Sequence, residues 1–188
     1  MPTEVELRSQ DGHEALGMLD ELADLYVQVY AEPPYNSAPK FSRARFLERT
    51  REQATSTGFT LVTARRSGRL VGFSFGFSML AGSWWAAASM PSAQVLDASK
   101  YAVIELIVDR DHRGRGTGRA LLDALLAGRP EQYATLAAVI EADAYAWYLR
   151  SGWRKIAEFR AEPPYSDALI LRLPREGNRN LHAAAHSG

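Results

Sequence analysis

The sequence contains no cysteine. That absence excludes disulfides, thiolate nucleophiles and thiolate-bound metals together, and it suits a reducing compartment. No run of about 18 apolar residues is present, so no membrane span is expected. The N-terminal stretch MPTEVELRSQ is polar and lacks the apolar centre of a signal peptide. A cytoplasmic protein without a membrane partner is the expectation. Net charge is missing too. The 22 basic and 22 acidic residues cancel, which argues against nucleic acid as a partner. Lysine is scarce, since nineteen of those basic residues are arginine. No Gly-Lys-Ser/Thr triplet occurs, so a Walker-type phosphate loop is ruled out. No repeat period and no linker divides the 188 residues, a length that suits one buried core. One domain over residues 1–174 is expected, with 175–188 a disordered tail.

What is present is a series of alternating elements. Val5 to Leu7 reads as a first strand, and a helix is expected from about His13 to Tyr30, capped by Ser9 or Asp11 and stopped by Pro33-Pro34. A second helix starts at Ser42, with Phe46, Leu47 and Thr50 inward. Strands over 59–64 and 70–79 flank the turn Arg66-Ser67-Gly68-Arg69. The second strand alternates Val71, Phe73, Phe75 and Phe77 with Gly72, Ser74, Gly76 and Ser78, so one face should be apolar core and the other small. Residues 80–99 have no period and carry Trp84-Trp85, for which a lid, a dimer contact and plain packing all stay open. A buried strand over 101–108 follows, then a glycine-rich stretch and a helix ending near Gly128. A strand over 134–140, a short helix over 143–151, and two closing strands, 153–159 and 168–173, complete the chain.

The chemistry concentrates where the 101–108 strand meets Arg113-Gly114-Arg115-Gly116-Thr117-Gly118 and the next helix. Glycines there let backbone N–H groups converge, and the helix N-terminus adds partial positive charge, a combination that binds phosphate or pyrophosphate. Arg113, Arg115 and Arg119 add cationic donors. The dinucleotide fingerprint G-x-G-x-x-G fails, because Arg119 or Leu121 stands where the third glycine should be. The spacing that does fit is R-x-x-G-x-G.

That motif resembles the acyl-CoA-binding motif of the GNAT (GCN5-related N-acetyltransferase) superfamily. A second signature of the family, A-x-x-x-Y-x-x-x-G-F/W, is matched by Ala144 through Tyr148 to Gly152-Trp153, and the element order agrees over roughly residues 4 to 173. The sequence departs from the pattern at Glu141, where the family often has Asn. The resemblance implies an α/β fold with a central mixed, mostly antiparallel twisted sheet of about seven strands, flanked by about four helices. It implies acetyl-CoA as acyl donor, no metal, and direct transfer to an amine acceptor. A small-molecule primary amine (antibiotic or metabolite) is the first expectation. A protein N-terminus or lysine comes second, and a non-catalytic acyl-CoA-binding module is the alternative from another class. A homodimer remains open.

The resemblance also implies roles for residues. Ile107 and Val108 would face the pantetheine arm, and Arg113, Gly114, Arg115, Gly116, Thr117, Gly118 and Arg119 would hold the pyrophosphate. Tyr148 matches the family's general acid. Glu105, a carboxylate amid apolar neighbours on the strand before the motif, is the candidate base, with a structural ion pair as its alternative. The pentapeptide Ala-Glu-Pro-Pro-Tyr occurs at 31–35 and again at 161–165 with unrelated flanks. Shared loop chemistry explains it better than duplication. Both copies fall where the fold would border the acceptor, so Tyr35 and Tyr165 are expected to contact substrate, along with Trp84.

Overall fold

The computed structural model describes residues 4–175. The expected tail therefore lies, apart from Arg175, outside the described residues. Seven strands form one sheet: β1 (Glu6–Gln10), β2 (Thr60–Arg66), β3 (Arg69–Met79), β4 (Lys100–Val108), β5 (Tyr133–Val139), β6 (Arg154–Phe159) and β7 (Ser166–Arg172). Their spatial order is β1-β2-β3-β4-β5-β7-β6, and every adjacent pair is antiparallel except β4 with β5. The helices are α1 (Gly12–Leu16), α2 (Leu19–Tyr30), α3 (Arg43–Gln53), α4 (Ala93–Leu96), α5 (Thr117–Leu126) and α6 (Asp143–Arg150). This is the mixed, mostly antiparallel sheet with flanking helices that the sequence suggested.

Helices cover both faces. On one, α2 buries Leu22, Ala23, Tyr26 and Val29 with Phe46 of α3 against Phe73, Phe75 and Ile107. On the other, Leu121, Leu122 and Leu125 of α5 join Tyr148 of α6 over Val62, Val103, Leu136 and Leu169. The helix expected over 13–30 is two helices. Asp11 closes a capping box with Glu14 and starts α1, while Met18, at φ −116° and ψ 4°, leaves helical geometry before α2. The break lets Ala15 and Leu22 both reach the core. Gly12 is required by packing, since a Cβ there would stand 1.9 Å from the Ala54 carbonyl oxygen. The turn between β2 and β3 is the expected tight hairpin, with Ser67 and Gly68 both at positive φ.

Three bulges, at Val71, Ile104 and Ile156, change which side chains share a face. Ala64 pairs with Gly72 but Arg65 pairs with Leu70, so Val71 is an extra residue. The alternation from Val71 to Phe77 is thereby corrected: Val71 packs under α5 while Leu70, Phe73 and Phe75 pack under α2 and α3. On β4, Glu105 faces Phe75 and Val103 faces Gly76, leaving Ile104 as the extra residue. Val103 therefore looks toward α5, and Glu105 toward α2 and α3.

Residues 80–99 are less irregular than their sequence. Ala88 bridges to Phe159, extending the sheet edge beyond β6. The fully buried Lys100 amine donates to the carbonyls of Val95, Leu96 and Ala98, closing the end of α4 at 3.1, 2.8 and 2.7 Å.

The parallel pairing of β4 with β5 covers only Lys100↔Tyr133, Tyr101↔Ala134 and Ala102↔Thr135. Beyond Ala102 the strands part, immediately before the bulge at Ile104. Gly76 of β3 lies beside this point, where a Cβ would stand 2.2 Å from the Ala102 carbonyl oxygen and 2.7 Å from the Tyr101 ring. Gly76→Ala is expected to destabilise the fold by about 1–3 kcal/mol, lowering the thermal midpoint by roughly 2–4 °C per kcal/mol in a chain of this size. Gly17→Ala, with its Cβ 3.4 Å from the Glu14 carbonyl and an ordinary helical φ, should leave the midpoint nearly unchanged. Thermal unfolding of the two variants checks both.

Candidate active site

The parting strands open a cleft. Val103 to Leu106 of β4 line one wall and Leu136 to Val139 of β5 the other. Tyr30 at the end of α2, Tyr35 in the following loop, and Ala142, Ala144, Tyr145 and Tyr148 around α6 complete the lining. Glu105 is the one acidic residue among these.

Glu105 is 6% exposed. The Tyr30 hydroxyl donates to one carboxylate oxygen at 2.9 Å, and the Arg49 guanidinium donates to the other at 3.1 Å. Arg49, projecting from α3, also donates to the Tyr26 hydroxyl at 2.9 Å and lies over the Tyr26 and Phe46 rings. Burial pushes the Glu105 carboxyl above the usual carboxylate range. Arg49 and the Tyr30 hydroxyl pull it back without reversing the shift. Burial beside Glu105 likewise raises Tyr30 well above an ordinary phenol.

Tyr148 comes to the same cleft from the opposite face. Its ring packs on Trp147 and Trp153 at 5.0 and 5.8 Å. Its hydroxyl has no hydrogen-bond partner among the described residues, and burial, with Tyr35 and Glu105 nearby, holds its proton on more tightly than in an ordinary tyrosine. Tyr35 is set by an aromatic cluster. Tyr30 stacks on Phe41 at 4.3 Å, and Tyr35 meets both rings edge-on at 4.7 and 5.6 Å.

Beyond the end of β4, the strand that forms one wall of the cleft, the glycine-rich loop turns into α5. Gly114 and Gly116 have φ of 71° and 82°, a region that other residues enter only with strain. Nothing lies within 4 Å of where a Cβ would stand at either position. Gly116 is the N-cap of α5 and brings no side-chain acceptor, so the N–H groups of the first turn lack a side-chain cap. Arg115 is exposed and has no hydrogen bond or ion pair among the described residues. Arg119 reaches Ser151 at 3.4 Å. Open space, converging amides and an unengaged guanidinium fit a diphosphate. Arg113 differs, since it is bound to Glu32 and to the Val108 carbonyl.

The other expected residues divide. Glu105, Tyr148 and Tyr35 meet in the cleft. The Ile107 side chain is core and the Val108 carbonyl accepts from Arg113, while the cleft wall itself is Val103–Leu106. Trp84 packs beside Val95, Ala98, Tyr133 and Ile170, and its indole N–H donates to the Ser89 carbonyl. Trp85 donates to Thr135 and meets the Phe159 ring edge-on. Tyr165 is 47% exposed, and neither it nor Trp84 lines the cleft. The second Ala-Glu-Pro-Pro-Tyr segment is held by residues that follow the first. Lys40 donates to the Glu162 and Pro164 carbonyls, and Arg45 pairs with Glu162 at 3.3 Å. Both contain a cis Pro-Pro bond.

Arg49, Tyr26 and Tyr30 are the residues that sequence reasoning missed. The spacing of Tyr26 and Tyr30 puts both on one helix face, which is a signal of packing as much as of chemistry. Arg49 is one of nineteen arginines with nothing local to distinguish it.

The family model described as the Acetyltransferase (GNAT) family matches residues 19–153. The chain belongs to that family, whose members transfer acetyl groups from acetyl-CoA. No curated protein sequence matches the chain. Solved structures share its fold. NAA60 of Arabidopsis thaliana, in complex with a bisubstrate analogue, superposes with a TM-score of 0.64 at 15% identity, covering 90% of this chain and 98% of that one. PH1933 of Pyrococcus horikoshii gives 0.61 at 20% identity, covering 92% and 100%. The PaiA N-acetyltransferase of Thermoplasma acidophilum, in complex with coenzyme A, gives 0.58 at 12% identity, covering 90% and 99%. Among the described residues, no helix is long and apolar enough to cross a membrane, and no group of three or more His, Cys, Asp or Glu is placed to hold a metal ion.

The Arg49–Glu105 pair generates a prediction. Arg49→Met removes the cation that favours ionised Glu105, so the carboxyl should rise further and be less ionised at neutral pH. The folded protein should lose up to about 3 kcal/mol near pH 7, the low end for breaking a buried pair because Arg49 is partly exposed. A carboxyl with a raised folded value is penalised above that value and relieved below it, so the deficit should shrink as pH falls through the Glu105 titration. Denaturant unfolding of wild type and variant between pH 5 and pH 8 checks this.

Proposed function

We propose that residues 1–174 act as one domain that moves an acetyl group from acetyl-CoA to the primary amine of a small molecule. Glu105 would accept the amine proton, and Tyr148 would donate a proton or a hydrogen bond to the departing sulfur. The observation that carries this reading is that Glu105 and Tyr148, from opposite faces of the sheet, line one cleft, and that β4, which forms one of its walls, runs on into the glycine-rich loop at the start of α5.

Bound acetyl-CoA supplies the activated acetyl group as a thioester. The amides of residues 114–119 and the Arg115 guanidinium are suited to its pyrophosphate, and the gap between β4 and β5 to its pantetheine arm. An amine attacks only as the free base. With an ordinary value near 10.4, deprotonation at pH 7 costs roughly 4–5 kcal/mol. Glu105, raised by burial, is better matched to that proton than an ordinary carboxylate would be. The thiolate is a tolerable leaving group, so the Tyr148 hydroxyl needs to donate only a hydrogen bond or a proton as the sulfur departs.

The walls favour one class of acceptor. Tyr30, Tyr35 and Phe41 form an aromatic cluster at the cleft, and Ala137, exposed on β5, offers a small opposing surface. Of the nearby carboxylates, Glu105 pairs with Arg49 and Glu32 with Arg113, while Asp143, exposed between the lining residues Ala142 and Ala144, has no ion pair among the described residues. The aromatic lining favours a monoamine with an apolar or aromatic body. A small aromatic amine is preferred on these grounds to an aminoglycoside or a lysine side chain in a basic peptide.

Coenzyme A release in the presence of a phenylethylamine, an alkylamine, spermidine, an aminoglycoside and a short peptide tests the class. The monoamines should be turned over best, and efficient turnover of spermidine or the aminoglycoside alone would contradict the proposed acceptor. With any productive amine, Tyr148→Phe should lower kcat by about 10² to 10⁴ at unchanged acetyl-CoA affinity. An unchanged single-turnover rate would reduce Tyr148 to packing.

A further inference from the structure

We propose that Arg113, the first residue of the glycine-rich motif, is a positioning residue that staples the Tyr35 loop to the phosphate loop, and that Arg115 carries the cationic contact to pyrophosphate in its place. The proposal rests on the acetyl-CoA reading above and revises the role that the resemblance implied for Arg113.

The Arg113 guanidinium is committed within the protein. Its Nη1 donates to Glu32 Oε2 at 2.6 Å and its Nη2 to Glu32 Oε1 at 3.1 Å, a two-pronged match of planar fork to planar carboxylate. Its Nε donates to the Val108 carbonyl at 2.9 Å, at the end of β4. Three of the five N–H groups are thus used, and the Glu32 charge cancels its own. The Glu32 side chain is 23% exposed and that of Arg113 41%, so solvent screens part of this cancellation while the two-pronged geometry remains. A cation so neutralised offers little to a diphosphate. Arg115, two residues on, is exposed, has no such partner among the described residues and precedes the uncapped start of α5.

The other end of the staple reaches the acceptor side. The Glu32 carbonyl accepts from the N–H groups of Tyr35 and Asn36 at 2.9 and 3.0 Å. Glu32 therefore holds the peptide that carries Tyr35, and the Tyr35 side chain lines the cleft. One side chain, Arg113, joins the end of β4, the phosphate loop and the segment bearing the aromatic wall. It sets the spacing between the place that anchors the cofactor and the place that receives the amine. The first Ala-Glu-Pro-Pro-Tyr copy has this use. In the second, Glu162 pairs instead with Arg45, and Tyr165 stays outside the cleft.

Calorimetric titration of coenzyme A, paired with hydrogen exchange of residues 31–38, tests the assignment in wild type, Glu32→Gln, Arg113→Gln, the double variant and Arg115→Gln. Arg115→Gln should weaken coenzyme A about tenfold or more, as loss of a charged contact does. Glu32→Gln and Arg113→Gln should each weaken it only about threefold, and the double variant should be no worse than either, because both remove the same link. Exchange in 31–38 should rise equally in those three and stay at the wild-type level in Arg115→Gln. A tenfold or greater loss on adding Arg113→Gln to Glu32→Gln would make Arg113 a direct ligand and overturn the proposal. So would wild-type exchange of 31–38 in Glu32→Gln. Failure of wild type to bind coenzyme A would contradict the acetyl-CoA reading, while the exchange data would still decide whether the staple exists.

Discussion

β4 and β5 pair in parallel for three residues and then part, and the rest of the site depends on that parting. A continuous parallel pair would fill the sheet with backbone hydrogen bonds and leave no cleft. The bulge at Ile104, directly after the last pair, turns Glu105 toward α2 and α3 while Val103 still faces α5. The same opening brings α6 and its Tyr148 into contact with the gap from the other side. Gly76, pressed against the Ala102 carbonyl, keeps β3 close to β4 where β4 loses its other neighbour.

Electrostatics in the cleft follow from this geometry. A carboxylate turned into a buried aromatic layer must find partners, and Glu105 finds the Tyr30 hydroxyl and the Arg49 guanidinium. Arg49 is itself held by Tyr26 and Phe46, so the ion pair is part of the packing of α2 and α3. The pair leaves the carboxyl raised but not isolated, which would suit the proposed role of proton acceptor. Structural ion pair and base are thus compatible roles for one residue.

The elements were readable where local signals agreed with packing. The capping of α3 by Ser42, the Ser67-Gly68 hairpin and the glycine-rich turn before α5 all carry their cause in adjacent residues. The three bulges were not readable, because an extra residue in a strand leaves no mark on composition. Val71 was consequently assigned to the wrong face. In the candidate site, the cleft residue Tyr148 and the uncapped glycine turn were legible through motifs, and Glu105 through its charge on an apolar strand. Arg49 and Glu32 were not, since each acts on a partner distant in sequence, 56 and 81 residues away. Charge pairing across such separations is a property of the fold.

The central claim is that the loop at the start of α5 receives the pyrophosphate of acetyl-CoA and so aims the thioester into the gap between β4 and β5. Titration of acetyl-CoA into wild type, Gly116→Ala and Gly116→Glu tests it most directly. Both substitutions carry the strain of φ 82°, but only glutamate adds negative charge where the pyrophosphate should lie. The account predicts that Gly116→Glu, though folded, binds at least about tenfold more weakly than Gly116→Ala. Equal affinity in the two folded variants would contradict it.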